Sequence, residues 1–236
     1  MRQIVKILLW TGIFAIAMAF LESAVVVYLR ALYYPEGFEF PLKMMNQNII
    51  VTEIFREAAT MIMLLTISII SVKSLISRFA VFIYVFAIWD IFYYLWLVIL
   101  LGWPPSLFTW DLLFLIPVTW VGPVVAPVIN SLTMIFLAVI ILIYRKDDET
   151  FHLVFLEWAL LITGSFLMIY VYTRPYMSYI LDRYPISKMI HYLQDKNLSS
   201  YAVNFRPVTF SWSLYFAGQF MFFWSIINMM MRVRRK

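Results

Sequence analysis

The chain has 236 residues, is 64% hydrophobic and only 13% charged, and carries a formal net charge of +5. Soluble domains are about 45–50% apolar and about 25% charged, so the composition excludes a water-soluble fold and indicates a polytopic membrane protein. There is no cysteine, which rules out disulfides, Cys-ligated zinc and iron–sulfur clusters; the positive charge reports topology rather than nucleic acid binding, because Lys and Arg collect on the cytoplasmic side.

Each membrane span takes about 20 residues. The length therefore allows about six spans and leaves no room for a separate soluble domain, giving an all-α transmembrane bundle in one integral membrane domain. The first span is expected at about 4–29, flanked by Arg2 and Lys6. Its apolar run extends to about Leu29 and no A-x-A-like site closes it there, so it reads as a retained span rather than a signal peptide. Gly12, Ala15, Ala19 and Glu22 share one face of this helix, and small residues there would let another helix approach closely. Pro35, Gly37 and Pro41 break the following outer loop, where Tyr33 and Tyr34 suit the headgroup level.

The second span, about 48–70, contains EIFREAAT. Glu53, Arg56, Glu57 and Thr60 fall at i, i+3, i+4 and i+7 and form one polar stripe. An ionised side chain at the centre of a spanning helix costs at least ~2.5–3.5 kcal/mol on insertion scales, so such a stripe must face a partner, a cavity or a ligand. The third span, about 79–101, carries Asp90 near its middle and Tyr93 and Tyr94 a turn further out.

The stretch from Asp111 to Tyr144 is too long for one straight span and is interrupted by Pro117, Gly122, Pro123 and Pro127. We read DLLFLIPVTW as a short interfacial or re-entrant piece whose helix Asp111 would cap, with the fourth span at about 121–143. Asp111, Pro117 and Pro123 are also candidates for a gate or cavity mouth. The fifth span is expected at about 151–172 and the sixth at about 209–231, with an outer loop, 173–208, folded as one or two amphipathic surface helices around Pro185. Arg2, Lys6, Lys73, Arg78, Arg145, Lys146, Arg232, Arg234, Arg235 and Lys236 lie in short flanks on one side, which places both termini in the cytoplasm.

On a rise of ~1.5 Å per residue, Glu22 and Glu57 lie roughly 12 Å from the outer ends of their spans, Tyr93 and Tyr94 at about the same depth and Asp90 one turn deeper. Glu53, Arg56 and Arg30 lie nearer the outer surface. Three consecutive spans thus bring polar groups into one layer. One reading is a buried ion-pair lattice, with each arginine on a glutamate and the tyrosine hydroxyls on Asp90, that specifies helix packing and does no chemistry. The other starts from imbalance: Glu22, Glu53, Glu57 and Asp90 face only Arg30 and Arg56. The surplus would hold protons or a cation, and Glu22, Glu57 and Asp90 are candidate ligands for a hard divalent ion such as Mg, Ca or Mn. Glu157 reads as a pairing or snorkelling residue. His152 and His191 fall on opposite sides of the bilayer, which disfavours a bis-His haem. Catalytic motifs such as a P-loop or H-E-x-x-H are absent from the sequence.

The segments FLESAVVVYLRALYYPEGFEFPL, EIFREAAT, WDIFYYLWL and GWPPSLFTWDLLFLIPVTWVGPVVAP resemble a family of prokaryotic polytopic membrane proteins that carries no assigned activity. The resemblance covers about Phe20 to Pro127 and implies a bacterial or archaeal cytoplasmic membrane. Three functions stay open. The first is a polar cavity in the outer half of the bilayer that handles a cation, protons or a small polar substrate, using Glu22, Arg30, Glu53, Arg56, Glu57, Asp90, Tyr93 and Tyr94. The second is an accessory subunit of a larger membrane complex, in electron transfer or transport. The third is a Mg-dependent enzyme acting on a lipid headgroup.

Overall fold

A computed structural model describes residues 2–147, 150–187 and 195–234. Helix α1 spans Arg2–Tyr33, α2 Gln47–Ser71 and α3 Leu75–Leu101. A hairpin of β1, Trp110–Phe114, and β2, Trp120–Pro123, separates them from α4, Val125–Asp147, and α5, Phe155–Leu181. The short α6, Lys196–Ala202, and α7, Trp212–Arg234, complete the chain. Among the described residues, six helices are long and apolar enough to cross a membrane: α1, α2, α3, α4, α5 and α7. The protein is thus a mostly helical, multi-pass membrane protein.

Local chemistry sets the helix ends. The side chain of Asn46 accepts from the Asn48 N–H and starts α2, and Ser74 does the same for α3 through Ser77. Each satisfies one of the amide donors that a helix N-terminus leaves unpaired. Gly102 ends α3 in the left-handed region at φ 63°, which a residue without Cβ adopts freely.

The helices pack mainly as α1 on α3, α3 on α4 and α5 on α7, while α2 leans on α3 and touches α1 more lightly. Thr11, Gly12, Ala15, Ala19 and Ser23 form the buried face of α1, so the expected small-residue face is present. The same device joins α5 and α7. A Cβ at Gly164 would lie 2.7 Å from Phe222, and one at Gly218 would lie 2.7 Å from Met168. Lipid tails are as apolar as leucine, so close packing of this kind, rather than a hydrophobic driving force, holds such helices together. Large apolar side chains such as Phe55, Ile62 and Ile70 on α2 and Phe216, Phe220 and Trp224 on α7 remain exposed, as faces toward lipid require.

The stretch 110–123 departs from the expected short helix. It forms an antiparallel hairpin pairing Trp110 with Pro123, Asp111 with Gly122 and Leu112 with Val121. Trp110 and Phe114 on β1 and Trp120 and Val121 on β2 are residue types that strands accommodate, and Pro117 falls in the connecting turn. Asp111 is therefore a strand residue and not a helix cap, and α4 begins at Val125 rather than near 121. Gly122 lets the hairpin lie against α5: a Cβ there would stand 3.1 Å from Tyr172. The second departure is α5, which runs through Pro175 to Leu181 instead of ending near 172. The outer loop is shorter for it, and its one described helix, α6, has 7 residues. His191, Arg235 and Lys236 lie outside the described residues.

Candidate functional site

The polar stripe of α2 meets α1. Arg56 reaches back one turn to Glu53, with Nη2 2.6 Å and Nε 3.0 Å from Oε2. Its Nη1 pairs with Glu22 of α1, and Thr60 donates to the other oxygen of Glu22 at 3.1 Å. The i, i+3, i+7 spacing on α2 is what lets Glu53, Arg56 and Thr60 act on one face. Glu57, one residue on, serves the hairpin. Its carboxylate accepts the backbone N–H of Leu115, which follows β1, at 2.9 and 3.1 Å.

Arg30 departs from the expected pairing with a glutamate. It lies 3.8 Å from Asp111 on β1, and its guanidinium stacks over Trp103 at 3.8 Å and Phe38 at 4.8 Å. A weakly hydrated planar cation suits an aromatic slot of this kind. Tyr94 also serves Asp111, donating at 3.2 Å, and does not reach Asp90 as expected. Asp90 instead accepts from Ser131 of α4 at 2.7 Å. Burial raises the Asp111 carboxyl to about 6, while Arg30, the Leu112 amide and the Tyr94 hydroxyl pull it back down.

These groups open into one cavity of about 820 Å³. Glu22, Arg30, Glu53, Arg56, Glu57, Asp90, Tyr93, Tyr94, Asp111 and Pro117 all line it. Pro123, a candidate for the cavity mouth, does not; it is held in β2 opposite Trp110. The wall is mostly apolar and aromatic, with contributions from the α1–α2 loop, the hairpin turn, the end of α5 and α6.

Sequence reasoning missed several of these contributors. Trp89 lines the cavity, is only 5% exposed, and its indole N–H has no hydrogen-bond partner. Lys43 and Tyr34 line it as well, and Lys43 donates its backbone N–H to the Tyr34 hydroxyl at 2.7 Å. The density of aromatic and methionine residues in 33–45 was the available signal, and it reads equally well as interfacial anchoring.

The charges in the wall do not balance. Arg56 is taken by Glu22 and Glu53, and Arg30 by Asp111. Among the described residues, Glu57 and Asp90 stand in no ion pair within 4.0 Å. They accept neutral hydrogen bonds only. Asp111 was not counted in the expected imbalance, and it takes up one of the two arginines. Among the described residues, no three His, Cys, Asp or Glu side chains are grouped as a metal ion needs, so Glu22, Glu57 and Asp90 do not converge on a common point.

Two other buried polar groups differ from this one in being satisfied. Between α4, α5 and α7, Asn130 donates to the Tyr172 hydroxyl at 2.7 Å and Thr133 to Gln219 at 3.0 Å. Gln219 donates to Tyr215 at 3.0 Å and also to Asn130, and Tyr215 donates to the Ala126 carbonyl at 2.8 Å. At the opposite end of the bundle Glu157, 0% exposed, holds Arg232 at 2.9 and 3.0 Å. That is the helix pairing expected of it. Both groups behave as packing devices.

No protein-family model, curated protein or solved structure matches the chain.

Proposed function

We propose that the protein takes a small polar or amphipathic substrate into this intramembrane cavity, and that the α1–α3 charges are the recognition surface rather than a closed lattice. One observation carries the reading. The buried charged groups of α1, α2 and α3, with Asp111, open into a single cavity of about 820 Å³. That volume lies in the range of about 300–1,000 Å³ typical of small-molecule sites. A lattice that served packing alone would close over its carboxylates, as the bundle does over Glu157.

The orientation we propose places both termini in the cytoplasm of a bacterial or archaeal cell, with the hairpin end of the bundle and the cavity toward the outer face. Supporting it, Lys73, Arg78, Arg145 and Arg232 all fall at helix ends remote from the hairpin, as the positive-inside rule expects. The absence of cysteine makes the test simple. In intact cells, Glu36→Cys should react with an impermeant maleimide and Thr150→Cys should not. The reverse pattern would overturn the orientation.

Substrate entry is tested by thermal unfolding of the purified protein in mild detergent against a panel of small amphipathic amines, carboxylates and phosphate esters. At least one class should raise the Tm in a saturable way. Val26→Trp, which places an indole in the cavity wall, should abolish the rise while leaving the unliganded protein folded. A panel with no saturable shift in the wild type contradicts the reading.

A further inference from the structure

We infer that the substrate is a lipophilic organic cation: an amine or quaternary ammonium group on an apolar body. The inference rests on the cavity reading above and specifies its ligand.

Charge is the first argument. Five carboxylates, Glu22, Glu53, Glu57, Asp90 and Asp111, line the cavity against Arg30, Arg56 and Lys43. The two arginines are already engaged by three of the five. Lys43 belongs to the α1–α2 loop and lies over the Tyr34 ring at 5.5 Å. Glu57 comes from α2 and Asp90 from α3, and each is held by a hydrogen bond that orients it without neutralising it. A carboxyl at membrane depth takes up a proton or a counter-charge, and within the described chain these two have no cation in contact. A bound organic cation would supply that positive charge.

Shape and surface are the second argument. A bare metal ion needs a compact group of carboxylates, and none is present among the described residues. The space is far larger than one ion fills, and its walls are mostly apolar. Trp89 and Tyr93 stack on one another, with Phe114 packed edge-on against Trp89, and all three line the cavity. Aromatic faces attract an organic cation through the ring quadrupole. The protein itself uses that chemistry a few residues away, where Arg30 rests on Trp103 and Phe38. An oxygen acceptor beside the cationic centre would also take up the unpartnered Trp89 indole N–H.

The test uses two ions of the same shape and opposite charge, tetraphenylphosphonium and tetraphenylborate. Saturable binding to the full chain is measured by equilibrium dialysis in detergent, with protein-free micelles subtracted. The phosphonium should bind, and Glu57→Gln and Asp90→Asn should each weaken it by about tenfold while retaining their neutral hydrogen bonds. Should either variant fail to fold, the comparison of the two ions on the wild-type protein decides by itself. Tetraphenylborate binding as tightly as the phosphonium, or phosphonium binding unchanged in both folded variants, would overturn the cation assignment and leave a substrate cavity standing. If neither ion binds and the amphipath panel also gives no Tm shift, the cavity reading falls with it.

Discussion

Arg56 is the residue on which the site depends most. Its guanidinium is the shared counter-charge of Glu22 and Glu53, and it joins α2 to α1. Removing one partner of a buried pair leaves an uncompensated charge and costs about 3–5 kcal/mol. Arg56→Ala should therefore destabilise the protein by about that amount, read from SDS titration of the protein in mild detergent. Arg56→Lys should fall between Ala and wild type, since an ammonium cannot reproduce the two-sided fork. A loss of under about 1 kcal/mol for Arg56→Ala would place the pair in the class of exposed ion pairs and contradict its role as a link. Glu57 and Asp90 differ in kind. Their partners are a backbone N–H and a serine hydroxyl, so amide substitutes keep the contacts and remove only the charge. That separation is what makes them usable as probes of ligand binding rather than of folding.

Among the elements, the helices were legible in the sequence and the hairpin was not. Long apolar runs mark spans unambiguously, and five of the six begin or end within a few residues of expectation at most of their boundaries. Charges in those runs stand out because each one is costly, and this is why the α2 stripe and its layer with Glu22 and Asp90 could be anticipated. DLLFLIPVTWVGP carries no such signal: a short apolar run with prolines fits a broken helix as readily as two strands. The fold decides for the hairpin, and Asp111 moves with it from a helix cap to the partner of Arg30 and Tyr94. Pro175 misled in the opposite direction. Proline is tolerated inside membrane helices where neighbours satisfy the freed backbone groups, and α5 continues past it to Leu181. The network of Asn130, Thr133, Tyr172, Tyr215 and Gln219 left no trace in the sequence. Its members, two on α4, one on α5 and two on α7, are neutral, so none is costly enough to mark itself.

On the scale of the whole molecule, three buried polar groups stand out among the described residues of the bundle, and the charges of α1–α3 are the group that lines the cavity of about 820 Å³. The amide and hydroxyl network among α4, α5 and α7 is internally bonded, and the Glu157–Arg232 pair ties α5 to α7 at the end remote from the hairpin. The charges of α1–α3 converge beneath the hairpin on a cavity they do not fill. The central claim is that this cavity is a ligand site, and the most direct measurement is an experimental density map of the protein extracted with its native lipids. The account predicts non-protein density in the cavity, in contact with Glu57 and Asp90 and against the faces of Trp89 and Tyr93. A map in which Glu57 and Asp90 are closed over by protein side chains, with no cavity between them, would contradict it.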